Sequence, residues 1–488
     1  MIRSDRTFWL GLMVIVGLYL ALGVAYAWRT PLWQAPDEPA HYNYARYIAT
    51  EGQLPILEPG DYPAAYLEEI KARRFPHDMS IDSLQYEAHQ PPAYYAMSAA
   101  LLRLAGEAPI ATQLRLMRLL SLLLGCCAVA LLGVLTMRLF ASRDLALSAT
   151  MLAAMTPMFI ADTAAANNDA LAFAALTAVA VRLAAPASHR WTWPASALLG
   201  ALVGLCVLSK FQAYVAVPLV AAILLWDVTV SHQLTWRQAL QRSAVIVGLA
   251  GLLSAAWLAR NVAVYGWADV LGLARHDAIV VGQLRTVDMI ADAGWQRYLS
   301  AYARTTFQSF WGQFGWMAAP LPERVYQPLA LVVTIAGVGL LAGRQRVWQT
   351  GSAAYKRGVA LLAVSGALTT ASFAWYNLQF VQFQGRYLFP AMPALSIALA
   401  CGLVAACRRP GWALALLGLA TVALIGTGMM RGDLPLFSIV LCVSAALGLL
   451  LMHHLPPRWH WLAPVLVAGA LAALNVYSLI AIIPLLRA

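Results

Sequence analysis

Uninterrupted apolar runs constrain this chain more than any other feature of its sequence. A run of about twenty apolar residues is what an α-helix needs to cross the hydrocarbon core of a bilayer. Transmembrane β-strands instead alternate polar and apolar residues over about ten positions, and these runs do not alternate. The sequence therefore predicts an all-α polytopic membrane protein, a single membrane domain over residues 1–488. About thirteen spans are predicted, at residues 8–28, 119–137, 145–160, 170–181, 193–208, 211–226, 244–258, 329–342, 359–374, 388–407, 412–429, 436–452 and 461–486.

The composition and charge agree with a membrane protein. Of the 488 residues, 61% are hydrophobic and only 11% are charged, whereas soluble domains carry about 25% charged residues. The net charge of +11 comes without a basic run or a recognition motif for nucleic acid. Membrane proteins collect Lys and Arg in their cytoplasmic loops. We therefore predict no nucleic-acid partner.

The basic residues of the short loops predict the orientation. If the N-terminus is cytoplasmic, these residues share one side, as short cytoplasmic loops require. They are Arg3, Arg6, Arg138, Arg143, Arg182, Arg190, Arg237, Arg242, Arg344, Arg346, Lys356, Arg357, Arg408, Arg409 and Arg458. Residues 29–118 and 260–327 then form two outward-facing segments. The last three spans, within residues 411–488, carry no motif that we can interpret.

Two adjacent carboxylates, Asp37 and Glu38, directly follow the first span. Pro39 is suited to the first turn of a helix, so both acids are predicted at a helix N-terminus, where the dipole favours negative charge. Ionisable groups at membrane level are usually functional, although simple helix capping is the structural alternative. Capping lowers a carboxyl pKa, which suits a metal ligand or hydrogen-bond acceptor better than a strong base. His41 and His89 are further candidates as ligands or proton carriers, or are structural.

The other candidates lie at the same predicted membrane face. Asp169 belongs to an Asn-Asn-Asp turn and is either a site residue or a helix cap. Lys210, Arg260 and Arg386, with Tyr387 beside it, would cradle a lipid phosphate, because Arg offers a bidentate fork and Lys a point charge. The alternative is that these long side chains simply snorkel to the interface. The sequence leaves a metal open, with Asp37, Glu38 and Asp169 as its ligands if one binds.

Both outer segments are predicted to contain interfacial structure. In the first, residues 93–104 form a helix too short to span a bilayer, predicted to lie on the membrane with its tyrosines at headgroup level. In the second, the aromatic stretch 307–316 is predicted to be an interfacial plug or a lipid-facing ledge. No phosphate-binding glycine loop, serine nucleophile elbow or zinc-binding helix motif occurs, which argues against a nucleotide-driven pump and a serine hydrolase.

Seven short motifs in this order resemble the GT-C superfamily of integral-membrane glycosyltransferases, which includes protein O-mannosyltransferases and aminoarabinose transferases. The likeness is strongest to a bacterial subgroup of predicted membrane proteins of unassigned function. The motifs lie at residues 36–41, 89–95, 167–171, 204–211, 259–266, 310–316 and 384–390.

The resemblance implies transfer of a sugar from a polyprenyl-phosphate donor to a lipid, glycan or protein acceptor on the extracytoplasmic face of the bacterial inner membrane. It makes Asp37 the catalytic candidate, with Glu38 beside it, and Asp169 a second acidic position. Some members bind a divalent cation near these acids. We expect inversion at the anomeric carbon, because the acceptor attacks opposite the departing phosphate.

Two other functions stay open at this point. One is a lipid or polysaccharide transporter or flippase, and the other is a non-catalytic assembly subunit with a GT-C-like fold. A transporter would place ionisable groups and broken helices near the middle of the bilayer. Here the charged candidates are predicted to cluster at one interface, which favours the transferase.

Overall fold

A computed structural model describes residues 5–487, apart from the side chains of residues 344–350. Three of the arginines used to predict the orientation, Arg3, Arg344 and Arg346, lie outside this description. The helices are α1 (Arg6–Arg29), α2 (Glu38–Glu51), α3 (Ala64–Ala72), α4 (Ala93–Ala105), α5 (Ile110–Phe140), α6 (Arg143–Ala154), α7 (Pro157–Thr163), α8 (Asp169–Leu183), α9 (Ala187–Arg190), α10 (Trp193–Ser209), α11 (Ala216–Thr229), α12 (Trp236–Tyr265), α13 (Leu273–Ile279), α14 (Thr286–Gly312), α15 (Glu323–Thr350), α16 (Ala353–Asn377), α17 (Met392–Arg408), α18 (Gly411–Arg431), α19 (Leu436–His454) and α20 (Leu462–Tyr477).

Short 3-10 or π turns extend several of these helices. The extensions that matter for the site are Phe211–Val215 before α11, Gly385–Ala391 before α17, and Ser478–Ile482 and Ile483–Leu486 after α20. A two-stranded antiparallel hairpin, β1 (Gln313–Phe314) and β2 (Ala319–Pro320), follows α14. The fold is thus helical, as predicted.

Among the described residues, ten helices are long and apolar enough to cross a membrane, or eleven if the bent pair α6–α7 counts as one span. The predicted number was about thirteen. Each of the thirteen predicted segments is wholly or largely helical, with a break at residues 155–156 in one of them, and α8 and α10 have only 15 and 17 residues. The pair α6–α7 is bent by 68°. The count differs because an apolar run shows that a segment is buried without showing that it crosses the whole bilayer.

The aromatic stretch of the second outer segment is not a ledge facing lipid. Helix α14 continues through it to Gly312, and the hairpin follows. Trp311 and Phe314 are only 3% and 2% exposed and belong to the central core. Their rings pack between spans, with Phe314 stacked on Tyr26 of α1. The prediction of a lipid-facing ledge was wrong because aromatic content alone does not distinguish lipid from protein neighbours.

The first outer loop has its own core. Helices α2 and α4 pack against each other, and Tyr94 and Tyr95 at the start of α4 are both 0% exposed. Tyr95 stacks on Tyr44 of α2 with 3.8 Å between ring centroids. The Tyr94 hydroxyl lies 2.8 Å from Ser121 Oγ of α5. The two tyrosines therefore fix α4 to α2 and α5, and their side chains contact protein and not lipid.

Candidate active site

Asp37 is the residue before α2, but its side chain does not cap the helix. Its backbone has a φ of 65°, in the left-handed region that non-glycine residues adopt at some energetic cost, most often at functional sites. The carboxylate instead accepts hydrogen bonds from Arg386 Nη2 at 2.6 Å and from the Tyr86 hydroxyl at 3.2 Å. The side chain of Asp37 is 25% exposed, and that of Arg386 is 7% exposed. Asp37 is therefore the member of this pair that a substrate can reach.

The pKa of Asp37 reflects these neighbours. Burial alone would raise the pKa of this carboxyl, but the positive charge and hydrogen bond of Arg386, with a smaller contribution from Lys210, outweigh burial. The net pKa lies below the usual value for Asp. Asp37 is therefore a carboxylate at neutral pH, as the sequence predicted, although the arginine and not helix capping is responsible.

Arg386 is positioned by the close approach of α14. It lies in the 3-10 turn Gly385–Ala391, where the Gly385 N–H donates to Ser309 Oγ of α14 at 2.8 Å. A Cβ on residue 385 would lie 2.3 Å from Phe310 N and 2.5 Å from Thr306 O. Only glycine lets the turn lie this close to the backbone of α14. The second outer segment thereby fixes the guanidinium that meets Asp37.

A second ion pair joins α8 to the break between α10 and α11. Lys210 Nζ lies 2.7 Å from Asp169 Oδ2, and both side chains are largely buried. Lys210 is extended, with φ of −164°, between the end of α10 and the next 3-10 turn. The helix cap of α8 is Asn168, whose side-chain amide donates to Ser209 O. Asp169 thus starts α8 without capping it, and its carboxylate is free to pair with Lys210.

The two adjacent carboxylates of the first outer loop have different environments. Glu38 is 0% exposed and forms a bidentate pair with Arg118, at 2.8 and 2.7 Å. Glu38 Oε1 also accepts from the Ala166 N–H, and Arg118 donates to the carbonyls of Ala27, Thr30 and Pro31. Because these contacts surround the carboxylate, the structure gives Glu38 a role in holding α1, α2, α5 and the turn before α8 together. This placement does not support Glu38 as a group that reacts beside Asp37.

The histidines are buried and make contacts within the protein. His41 Nδ1 shares a hydrogen bond of 2.8 Å with the Tyr95 hydroxyl, and burial, followed by the charge of Lys210, lowers the pKa of His41 to about 3. His89 Nδ1 lies 3.2 Å from Tyr86 O, and burial, followed by His276, holds the pKa of His89 well below its usual value. Both imidazoles are therefore neutral at physiological pH.

Arg260 does not join the other cations. Its Nη2 donates to Pro55 O at 2.5 Å and its Nη1 to Asn261 Oδ1, so it ties α12 to the first outer loop. The sequence could place Arg260 at the correct end of a helix but not on the correct face. Tyr387 follows Arg386 and packs edge-to-face on Tyr376. The guanidinium carbon Cζ of Arg386 lies 5.6 Å from the centroid of the Tyr387 ring. Tyr387 therefore borders the Asp37–Arg386 pair.

Two carboxyls were missed by the sequence analysis. Glu87 lies in the polar part of the first outer loop, and one of its oxygens is buried with no hydrogen-bond partner. Burial, followed by the negative charge of Asp37, raises the pKa of Glu87 to about 8. Asp162, in α7, is 4% exposed and lies 3.9 Å from Arg386 Nη1. An acid that interrupts an apolar run is a functional signal, and this rule could have identified Asp162.

A small cavity lies beside Arg386. Its lining includes three buried polar groups that have an atom without a hydrogen-bond partner: Gln34 Nε2, Asp162 Oδ2 and Arg386 Nε. Phe314 and the C-terminal turn residues Ile483 and Leu486 supply apolar lining. Unsatisfied buried polar atoms are rare in proteins. The cavity is therefore suited to a water molecule or a small polar group.

The acids do not fit a divalent cation as they are arranged. Asp37, Glu38 and Asp169 are each paired with a basic side chain, and Ca²⁺ or Mg²⁺ would require free carboxylate oxygens. Within residues 5–487, no group of three His, Cys, Asp or Glu side chains has the arrangement of a metal site. We derive no step that uses a metal.

The matched region of the chain identifies its family. A family model described as predicted membrane protein (DUF2142) matches residues 76–395, about two thirds of the sequence. The chain belongs to this family. The matched range of the DUF2142 family contains Glu87, Asp169, Lys210 and Arg386, whereas Asp37 lies before it. No curated protein sequence matches the chain.

Solved structures with the same fold are GT-C glycosyltransferases. ArnT from Cupriavidus metallidurans, bound to undecaprenyl phosphate, is 15% identical with a TM-score of 0.50, over 98% of this chain and 78% of ArnT. The Archaeoglobus fulgidus oligosaccharyltransferase, tethered to an acceptor peptide, is 12% identical with a TM-score of 0.53, over 96% of this chain. This DUF2142 protein spans only 55% of that enzyme's length. The fold is therefore GT-C, as the motifs predicted.

Proposed function

We propose that this protein is a membrane glycosyltransferase that moves a sugar from a polyprenyl-phosphate donor to an acceptor on the extracytoplasmic face. The single observation that carries the proposal is the meeting of Asp37 and Arg386, 349 positions apart in the chain, at 2.6 Å. A reachable carboxylate next to a fixed cation is what removal of a proton and departure of a phosphate require. The GT-C neighbours with undecaprenyl phosphate or dolichol-phosphate bound support a lipid-linked donor.

In the proposed reaction, the acceptor hydroxyl or amine attacks the anomeric carbon of the donor sugar. The new glycosidic bond forms as the bond from that carbon to the phosphate oxygen breaks, and the polyprenyl phosphate leaves with the electron pair. Asp37 takes the proton of the attacking group. Arg386 and Lys210 stabilise the negative charge that develops on the phosphate. Attack opposite the leaving group inverts the anomeric centre.

In the proposed reaction, the Asp37–Arg386 ion pair makes the basicity of Asp37 depend on whether the donor is bound. While Arg386 holds the carboxylate, the pKa of Asp37 is low and the group is a weak base. A donor phosphate would compete for the same guanidinium, because Arg binds phosphate and carboxylate with the same fork. Drawing Arg386 toward the phosphate removes the main cause of the lowered pKa. Asp37 then becomes a better base when the donor is bound.

The test measures sugar transfer by purified Asp37→Asn in nanodiscs, from a radiolabelled polyprenyl-phosphate sugar. Because the amide cannot accept the proton, we expect turnover to fall by about 10²–10⁴-fold, the usual contribution of a general base. Asp82→Asn is the matched control, since Asp82 is an exposed carboxylate of the same outer loop that pairs with Arg46.

The outcomes separate the residue from the function. If Asp37→Asn keeps wild-type turnover, Asp37 has no catalytic role, although the transferase activity stands. If the wild-type protein transfers sugar from none of a panel of polyprenyl-phosphate sugars, the proposed function itself is wrong. Loss of turnover in both Asp37→Asn and Asp82→Asn would point to a disturbed loop.

A further inference from the structure

A buried ion cluster lies at the opposite end of the bundle from Asp37. It consists of Arg190 after α8, Asp227 near the end of α11 and Arg357 near the start of α16. Helix α16 runs from this cluster to Asn377, close to the turn that carries Arg386. Twenty residues of helix separate Arg357 from Asn377, which is about 30 Å at the usual rise. The cluster is therefore independent of the candidate active site.

Asp227, which is 0% exposed, is already fully engaged by other partners. Its Oδ2 accepts from Arg190 Nη1 at 2.5 Å and from the Trp191 indole at 2.9 Å. Its Oδ1 accepts from the Ser231 hydroxyl at 3.1 Å. Arg190 also donates to Ala185 O, and is itself well satisfied. The Asp227 carboxylate therefore pairs with Arg190 and has little hydrogen-bonding capacity left for a second guanidinium.

Arg357 is the member of the cluster with guanidinium nitrogens that lack a hydrogen-bond acceptor. It is 5% exposed, and its Nη1 lies 3.6 Å from Asp227 Oδ2, beyond hydrogen-bond distance. Neither Nε nor Nη1 of Arg357 has a hydrogen-bond acceptor. A guanidinium stays charged in proteins, so two buried cations share one buried anion. One carboxylate balances only one of these two buried positive charges, which indicates that a further anion belongs beside Arg357.

The surroundings of the cluster add positive charge. Arg138 donates to Val181 O, and Arg182 donates to the carbonyls of His189 and Arg190. These bonds to neutral carbonyls hold the two arginines next to the cluster without cancelling their charge. The other two acids that the structure describes at this end are occupied elsewhere: Asp5 caps α1 and Asp144 pairs with Arg143. The local field therefore attracts an anion.

Two exposed tryptophans place this end of the bundle near lipid headgroups. Trp193 at the start of α10 is 52% exposed and Trp236 at the start of α12 is 65% exposed. Tryptophan is enriched at the membrane interface, where its ring is apolar and its N–H can meet water. Basic pockets between transmembrane helices on the cytoplasmic side are known to bind anionic lipid headgroups.

We propose that Arg357, next to the Arg190–Asp227 pair, binds a phosphate group at the membrane surface opposite the candidate active site. A phosphate oxygen is a strong acceptor for a guanidinium N–H, and Nε and Nη1 of Arg357 are donors left without a partner for it. The phosphate belongs to an anionic phospholipid or to a free phosphate ion, which are the same chemistry from two sources.

The test uses the purified full-length protein, delipidated in a neutral detergent. Ligand binding is read by native mass spectrometry and by the shift of thermal unfolding. The probes are phosphatidylglycerol, phosphatidylcholine and inorganic phosphate. We expect wild-type protein to bind phosphatidylglycerol at least tenfold more tightly than phosphatidylcholine. Arg357→Gln should lose about tenfold in apparent affinity for phosphatidylglycerol, because a charge-assisted hydrogen bond is removed.

Arg143→Gln is the matched control, since it removes one positive charge from the same side at an exposed position, and we expect less than a twofold change. Arg357→Lys keeps the positive charge and should give an intermediate loss, so a folding defect of Arg357→Gln does not block the test. Wild-type protein stabilised by inorganic phosphate alone, in an Arg357-dependent way, assigns the site to a free anion. Equal binding of the two phospholipids together with no effect of phosphate overturns the proposal, as does equal loss in Arg143→Gln.

Discussion

Asp37 and Glu38 are consecutive, yet their carboxylates bind different arginines, Arg386 and Arg118. The left-handed backbone of Asp37 directs its carboxylate toward Arg386, while the first turn of α2 directs Glu38 toward Arg118. An ion pair that is exposed to solvent would contribute little to the stability of the fold. The Glu38–Arg118 pair is buried, so removing one member leaves the other uncompensated.

We therefore expect Glu38→Ala to lower the free energy of unfolding by about 3–5 kcal/mol, the usual effect of breaking a buried ion pair. The measurement is thermal or denaturant unfolding of the purified protein. Glu68→Ala is the control, because Glu68 is 69% exposed in a surface pair with Lys71, and it should change stability by less than about 0.5 kcal/mol. A Glu38→Ala protein as stable as Glu68→Ala would show that Arg118 does not depend on Glu38.

Glu87 makes stability depend on pH. Its folded-state pKa of about 8 lies above the usual value of 4.5, so the folded protein holds this proton more tightly than the unfolded chain. The resulting stability is fully present below pH 4.5 and is lost as the pH rises through 8. Glu87→Gln has no such proton, so its unfolding temperature should fall less than that of wild type between pH 5 and 8. Parallel pH profiles for the two proteins would contradict a raised pKa.

Among the secondary-structure elements, breaks in helices are what position the charged groups of the candidate site. Lys210 lies at the break between α10 and α11, Asp162 in the bent pair α6–α7, and Arg386 in the 3-10 turn before α17. Each break lets a polar side chain enter a bundle whose regular helices present apolar residues. Apolar runs and their order predicted the spans, because burial of apolar surface determines both. The breaks depend on contacts between distant segments, such as Gly385 with Phe310, and a single sequence does not contain them.

Gly385→Ala tests the contact between α14 and the turn that carries Arg386. The added Cβ would overlap Phe310 N and Thr306 O, so the turn must move away from α14 and take Arg386 with it. We expect a clear fall in donor affinity and turnover in the transfer assay, together with reduced thermal stability. Gly411→Ala is the control, since a Cβ there meets nothing within 4 Å. Equal activity of the two variants would mean that the turn tolerates displacement.

The candidate site, too, could be predicted from the sequence only in part. Sequence motifs pointed to Asp37, Asp169, Lys210 and Arg386, and the structure joins these four in two ion pairs. Arg260 shares their membrane face but turns toward Pro55. Helical position along the membrane can be read from the sequence, whereas rotation about the helix axis depends on packing. The roles of these residues in catalysis stay predictions until transfer is measured.

For the whole molecule, charged groups lie at two opposite ends of an apolar bundle. One end carries the Asp37–Arg386 and Asp169–Lys210 pairs, and the other carries Asp227 with its arginines. The basic loops predict that the second end is cytoplasmic. The transferase proposal requires the first end to face outward.

Cysteine labelling checks this orientation. Asp82 and Arg143 are exposed at the two ends. We expect Asp82→Cys to react with a membrane-impermeant maleimide in intact cells, and Arg143→Cys to react only after the membrane is opened. The six native cysteines, none of them in a disulfide, give the background, which is measured on the unsubstituted chain. Labelling of Arg143→Cys alone in intact cells would reverse the orientation and exclude chemistry on the outer face.

The first outer loop and the end of α1 contact the turns after α20 beside the candidate site. Arg29 donates to Leu479 O, Arg74 to Leu485 O and Arg487 to Arg29 O, and Ile483 and Leu486 line the cavity next to Arg386. During biosynthesis, then, the wall of this cavity is complete only after α20 and the turns that follow it have been synthesised and inserted. A nascent chain that lacks α20 and the turns after it would contain every charged residue of the site. Its cavity beside Arg386 would lack the wall formed by Ile483 and Leu486.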